Sequence, residues 1–312
     1  MRRRNTPPLG RREFLISLAA LGLAPSSAPR LAGAAPAAIL ARSIPGTGEP
    51  VPVIGMGSWI TFDVGKDAGR REERAAVLQA FFAMGGRLVD SSPMYGSSEE
   101  VIGYCLSRMP EKRPLFSATK VWTWLQSGGA DQMKESRRLW GVDRFDLLQI
   151  HNLLGWEGHM ETLVARKAAG GVRYIGVTTS HGRRHDDMEM VMAKQPIDFV
   201  QFTYNILDRR AEKRLLPLAG ERGLAVIVNR PFRGGDLFDY FAAHPLPEWA
   251  GEMDCTSWAQ FFLKFVVSHP NVTCAIPATS RVDHMRDNMG ALYGRLPDQK
   301  MRERMVRYVE KL

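Results

Sequence analysis

The chain has 312 residues, 45% of them hydrophobic and 24% charged, an ordinary globular composition with enough length for one large domain or two small ones. Its net charge of +9 is concentrated at one end: residues 1–34 hold six arginines and one acid, and the remainder carries 36 basic and 32 acidic residues, a net of +4. Without a long Lys/Arg run this argues against nucleic-acid binding. Cys105, Cys255 and Cys274, with no CxxC and no His/Cys ligand spacing, read as buried thiols rather than a disulfide framework or a metal site.

The first segment reads as an address. Arg11-Arg12 precedes Glu13-Phe14-Leu15-Ile16, an apolar run follows from Ser17 to Ala24, and Ala32-Gly33-Ala34-Ala35 supplies small residues. A charged start, a short apolar run and an A-x-A-like cleavage site form an export signal. The paired arginines resemble the signal read by the twin-arginine translocation machinery. The other reading is a membrane anchor. The run is too short to span a bilayer and contains Gly22, so no stable anchor is expected. Residues 1–34 are thus read as the signal, 35–50 (rich in Ala, Pro and Gly) as a linker, and 51–312 as one folded domain. A periplasmic or exported location is expected.

From Val51 onward, strand-like and helix-like segments alternate. Val51 to Trp59 reads as a strand, Arg70 to Met84 as a helix, Arg87 to Asp90 as a strand and Ser98 to Ser107 as a helix. Strands at Leu115 to Val121, Phe145 to His151 and Val172 to Thr178 alternate with helices at Asp131 to Trp140, Trp156 to Ala169 and Arg184 to Ala193. Strands at Phe199 to Tyr204, Leu224 to Asn229 and Val272 to Pro277 alternate with helices at Arg209 to Gly220, Thr256 to Ser268 and Val282 to Ala291; a terminal helix runs from Asp298 to Glu310. About eight βα units in roughly 260 residues fit a closed (β/α)8 TIM barrel. An open doubly wound sheet is the alternative. It would want GxGxxG after the first strand, and Gly55-Met56-Gly57-Ser58-Trp59-Ile60 lacks the third glycine.

In a barrel the chemistry lies at the C-terminal ends of the strands. There the second strand ends in Asp90, with Tyr95 in the next loop; the third ends in Lys120 and the fourth in His151. Singly, such a His is more often structural, such a Lys solvated and such a Tyr packed. Together at successive strand ends they suit proton transfer. A tyrosine has a reference pKa of about 10; a neighbouring ammonium favours its phenolate, and a carboxylate fixes the ammonium. That group can protonate an alkoxide as hydride reaches carbon.

Val89-Asp90-Ser91-Ser92-Pro93-Met94-Tyr95-Gly96-Ser97-Ser98-Glu99, with Gly103, resembles the D-x-A-x-x-Y-G-x-S-E-x-x-x-G element of the aldo-keto reductases, with one small departure placed between Ser97 and Glu99. The likeness covers essentially all of residues 51–295. It implies reduction of an aldehyde or ketone to an alcohol by hydride from NAD(P)H, with a small-molecule carbonyl as partner. By resemblance Tyr95 is the general acid, Lys120 lowers its pKa, Asp90 pairs with Lys120 and His151 orients the carbonyl.

The cofactor positions follow from the same resemblance. Ser58 is assigned to the cofactor. Thr178 and Thr179 stand where the family holds the nicotinamide carboxamide, and Gln201 matches the family glutamine. Asn229 replaces an aromatic that stacks on the nicotinamide. Arg230, Pro231 and Arg233 fit pyrophosphate contacts, or equally a surface turn. Thr279, Ser280 and Arg281 are placed on a 2′-phosphate and Asn288 on the adenine, with Ala278 replacing a frequent lysine. This puts NADP(H) ahead of NAD(H). Trp59, Trp122 and Asn152 are assigned to the substrate pocket, the two tryptophans as walls for an uncharged or aromatic carbonyl, or else as core. A second hypothesis is an exported, non-redox binding or regulatory protein on the same barrel. It is raised by Asn229 and by the scarcity of free NADPH outside the cytoplasm.

Overall fold

The computed structural model describes residues 38–110 and 114–312. The segment read as an export signal lies outside them. Eight parallel strands follow one another around a ring: β3 (Met56–Gly57), β4 (Leu88–Asp90), β5 (Phe116–Val121), β6 (Phe145–Ile150), β7 (Val172–Thr178), β8 (Phe199–Thr203), β9 (Ala225–Asn229) and β10 (Cys274–Ala275). Bridges from Ile54 to Ala275 and from Gly57 to Ala278 join the last strand to the first. The N–H groups of Gly55 and Gly57 donate to the carbonyls of Ala275 and Pro277 at 2.8 and 3.0 Å. Closure removes the free edges that an open sheet would present, so the fold is a (β/α)8 barrel and not a doubly wound sheet.

Helices follow the strands: α1 (Ala68–Ala83), α2 (Ser98–Ser107), α3 (Gln126–Trp140), α4 (Trp156–Ala168), α5 (His185–Lys194) and α6 (Leu215–Arg222). A short α7 (Asp236–Phe241) precedes α8 (Trp258–Val267), and α9 (Val282–Gly290) and α10 (Gln299–Val309) complete the chain. The helix expected from Arg209 breaks at Arg214, whose φ of −145° is not helical. Pro217 explains the break. It has no N–H to donate to residue 213, and its ring crowds that carbonyl, so α6 starts afresh with the proline in its first turn. Gly103 on α2 is required for packing: a Cβ there would lie 1.8 Å from the Leu139 carbonyl oxygen of α3.

The linker expected over 35–50 is corrected for its described part, from residue 38 on. Strand β1 (Ala41–Ser43) pairs antiparallel with β2 (Pro50–Pro52), with Arg42 opposite Val51. This hairpin adds Ile44 and Val51 to an apolar cluster inside the barrel with Leu88, Phe116, Ala118, Leu147, Tyr174 and Phe199. A second, larger cluster fills the space between strands and helices. The two follow from strand alternation: Leu88, Ala118, Leu147 and Ile227 point inward, while Val89, Val121, Leu148 and Val228 point outward. Two residues beyond those inward apolar positions come Asp90, Lys120, Gln149 and Asn229. Alternation thus turns polar side chains into the barrel at the C-terminal ends of its strands. Among the described residues no helix is long and apolar enough to cross a membrane.

Candidate active site

A cavity of about 410 Å³ opens at the C-terminal end of the barrel. Its wall includes Asp90, Tyr95 and His151, with Lys120 wholly buried beneath. The Lys120 ammonium donates to Asp90 Oδ2 at 2.6 Å and to the Ser91 carbonyl at 2.8 Å. Asp90 Oδ1 accepts from Gln149 Nε2 and Gln201 Nε2, both at 3.1 Å. A buried carboxylate needs such partners, and here one ammonium and two amides supply them. Lys120 Nζ lies 5.2 Å from the centre of the Tyr95 ring. The Tyr95 and His151 rings meet edge-on, 5.6 Å between centres.

The loop bearing Tyr95 is held from both sides. Glu99, buried in the first turn of α2, accepts from Thr119 Oγ1 on β5 and from Ser136 Oγ and Trp140 Nε1 on α3, at 2.6, 2.8 and 3.0 Å. Asp63 accepts from the Ser97 N–H and hydroxyl at 2.9 and 2.7 Å.

The electrostatics divide the roles. Burial raises the Tyr95 hydroxyl above the ordinary tyrosine value; the Lys120 charge opposes this without cancelling it. Tyr95 is therefore protonated at neutral pH, as a proton donor must be. Burial pulls Lys120 down, but Asp90 and Tyr95 outweigh it, and the ammonium is retained. Burial, aided by the Lys120 charge, pushes His151 down to about 3, so its ring is neutral.

The remaining expected residues separate into two groups. Ser58, Trp59, Asn152, Thr178, Thr179, Gln201, Asn229, Arg230 and Pro231 all line the cavity. Ser58 Oγ donates to the Asp90 carbonyl at 3.0 Å. Thr178 Oγ1 accepts from the Asn152 N–H at 3.0 Å. Thr179 Oγ1 is buried without a hydrogen-bond partner. That orphaned hydroxyl, on the cavity wall between Thr178 and Ser180, fits an amide such as the nicotinamide carboxamide. Asn229 is spent on the protein itself: its Oδ1 accepts from Thr203 Oγ1 at 2.7 Å and its Nδ2 donates to the Thr179 carbonyl at 2.8 Å.

The others lie off the cavity. Trp122 is not a wall of it. Its N–H and C=O are both held by the Gln132 side chain, at 2.6 and 3.0 Å, which ties the loop to α3, and the residue is 41% exposed. Arg233 turns toward Asp236, 3.6 Å away. The wall ends at Ala278, and Thr279, Ser280, Arg281 and Asn288 fall beyond it. Arg281 is engaged through both carboxylate oxygens of Asp283.

Other residues in and beside the cavity were not singled out from the sequence. Gln149 shares an inward face with His151, so alternation along β6 would have found it. Met94, Ile60, Phe232 and Phe238 add apolar wall, and no local signal marks them. The departure from the family element lies not between Ser97 and Glu99 but at Ser92, which stands in the place of its alanine.

A model of the Aldo/keto reductase family matches residues 53–304. The chain belongs to the aldo/keto reductase family. It is 27% identical over 253 residues to methylglyoxal reductase YeaE of Escherichia coli, covering 78% of this chain and 86% of that protein. It is 24% identical over 184 residues to an NADH-specific methylglyoxal reductase of Escherichia coli, covering 49% of this chain and 54% of that one. An aldo/keto reductase from Klebsiella pneumoniae, solved with NADP and acetate, superposes with a TM-score of 0.72 at 23% identity, covering 86% of this chain and 94% of that one. The protein is an NAD(P)H-dependent oxidoreductase of the aldo-keto reductase type, acting on an aldehyde or ketone.

Proposed function

We propose that Tyr95 delivers the proton to the carbonyl oxygen, that His151 orients that oxygen, and that the Asp90–Lys120 pair makes Tyr95 a usable acid. The observation that carries this is the buried ammonium, 2.6 Å from Asp90 and 5.2 Å from the centre of the Tyr95 ring. The bound nicotinamide nucleotide supplies the hydride. Thr178, Thr179 and Gln201 would hold its carboxamide. Arg230, Pro231 and the backbone of the following turn, where Gly234 and Gly235 have φ of +82° and +114°, would hold its pyrophosphate. As charge grows on the substrate oxygen, the Tyr95 O–H transfers its proton and the Lys120 ammonium stabilises the phenolate left behind.

Trp59, Met94, Phe232 and Phe238 supply apolar wall, which suits an uncharged or aromatic carbonyl; methylglyoxal, the substrate in the name of one relative, is a small first probe. NADP(H) is proposed ahead of NAD(H), with Thr279, Ser280 and Arg281 at its 2′-phosphate and Asn288 at its adenine. We further propose that residues 1–34 direct export by the twin-arginine route, that the protein acts in the periplasm, and that the nucleotide is loaded before translocation, since that route carries folded passengers. Cell fractionation with and without Arg11→Lys and Arg12→Lys tests the export.

The test of the chemistry is Tyr95→Phe. It should abolish carbonyl reduction while NADPH still quenches tryptophan fluorescence. Unchanged turnover refutes the assigned acid, and no binding of either nucleotide by the wild-type protein would favour the non-redox alternative.

A further inference from the structure

Ser92 has no part in the reaction as set out above, and it replaces the alanine of the family element. Its side chain is completely buried. Its Oγ lies 2.8 Å from His151 Nδ1 and accepts from the Met94 N–H at 3.2 Å. A hydroxyl has one proton to give and two lone pairs. With Met94 already donating to it, Ser92 satisfies both partners best by placing its own proton on Nδ1. In the opposite arrangement Nδ1–H donates to Ser92, and the buried hydroxyl proton then lacks an acceptor among the described residues, which is disfavoured.

We propose that Ser92 is a positioning residue that holds His151 in the Nε2–H tautomer. The inference rests on the reading of His151 as the group that orients the carbonyl. Nε2 is the nitrogen left for the cavity, because Nδ1 is taken. As Nε2–H it donates to the substrate oxygen beside the Tyr95 hydroxyl. In the other tautomer Nε2 would present a lone pair to an oxygen gaining negative charge. The ring is neutral at working pH, since burial and Lys120 hold it far below the usual histidine range, so the choice is between two neutral forms and one hydrogen bond decides it. A chain with alanine at this position must set the tautomer by other means.

The experiment uses the full chain with Ser92→Ala, Ser92→Thr and His151→Gln. Long-range proton–nitrogen correlation spectra, with the His151 signals identified by their loss in His151→Gln, read the tautomer. Stopped-flow and steady-state assays with NADPH and methylglyoxal read turnover, and tryptophan fluorescence reads NADPH affinity. Wild type should show a pyridine-type Nδ1 and a pyrrole-type Nε2. Ser92→Ala should populate the reversed pattern and lose turnover by at least about tenfold, less than the roughly 100- to 1,000-fold cost of removing such a donor outright because only part of the donor population is lost, with NADPH affinity unchanged. Ser92→Thr, which keeps the hydroxyl, should restore both pattern and turnover. Ser92→Ala with the wild-type pattern overturns the proposal, whether or not turnover falls. If His151→Gln turns over like wild type, the role of His151 fails and the positioning role falls with it. If His151→Gln is slow while Ser92→Ala is unaltered, only the positioning role is lost.

Discussion

Lys120→Met tests the buried ion pair most directly. In the wild type the Lys120 ammonium is 0% exposed and its Asp90 partner 2%. Removing the ammonium strips Asp90 Oδ2 of its 2.6 Å donor and the Ser91 carbonyl of its 2.8 Å donor. Asp90 Oδ1 keeps two amides at 3.1 Å. Deleting one partner of a buried pair costs about 3–5 kcal/mol, and the surviving amides place this case near the lower end, about 3 kcal/mol. For a domain of this size each kcal/mol moves Tm by a little under about 2 °C, so Lys120→Met should melt about 5 °C lower. Asp90→Asn alone leaves the ammonium uncompensated and should also destabilise. The double variant leaves no buried charge and should recover about 2 kcal/mol relative to the sum of the two. Urea denaturation of all four proteins, fitted with a common slope, measures the cycle. Strict additivity, or a loss below about 1 kcal/mol in Lys120→Met, would refute the picture of a charged pair held out of water. Turnover should fall in both singles and stay low in the double, because in each Tyr95 lacks either the ammonium or the carboxylate that fixes it.

Gly103→Ala should abolish soluble expression or lower Tm sharply, because its Cβ would sit 1.8 Å from the Leu139 carbonyl oxygen, where backbone must move; a melting curve like that of wild type would show that α2 and α3 do not pack as described. His151 titrates near 3 in the folded chain and His269 near 4, against an ordinary value of 6.5. Both are neutral when folded and gain protons when unfolded, so their stabilisation is complete above pH 6.5 and falls with pH, to about 3 for His151 and about 4 for His269. The expected slope is about 1.4 kcal/mol per pH unit for His151, with less from half-buried His269; denaturation at pH 7, 6 and 5 measures it, and His151→Gln should flatten it. Asp283→Asn releases Arg281 from its carboxylate partner and should tighten NADPH binding relative to NADH, read by titrating both nucleotides; an unchanged ratio would remove Arg281 from the 2′-phosphate.

The barrel was legible because its strands are short, apolar and regularly interrupted, and because glycine and proline mark their ends. That Asp90, Lys120 and His151 come together was legible for a related reason. Asp90, Lys120 and His151 each stand at the end of an apolar run, and the backbone places such ends together once the sheet closes. The hairpin was not legible. Ala41-Arg42-Ser43 and Pro50-Val51-Pro52 carry little strand propensity, and they pair because Ile44 and Val51 have an open barrel floor to fill. The place of Trp122 off the cavity was not legible either: its backbone is held by the side chain of Gln132, ten residues away, through hydrogen bonds that no local pattern announces.

Asn229 illustrates how a substitution at a strand end acquires meaning only from its neighbours. Read by position, it is a missing aromatic and a reason to doubt the nucleotide. Placed in the barrel, its amide bridges Thr203 and the Thr179 backbone, joining β8 to the segment after β7. This fixes the backbone that carries Thr179, whose hydroxyl is one of the buried atoms lacking a partner among the described residues. A stacking surface has been exchanged for a brace behind a hydrogen-bonding group. The nicotinamide should therefore be held more by its edge than by its face. Trp59, with the Arg230 guanidinium 5.9 Å from its ring centre, is one of the aromatics on the same cavity wall, with Phe232 and Phe238.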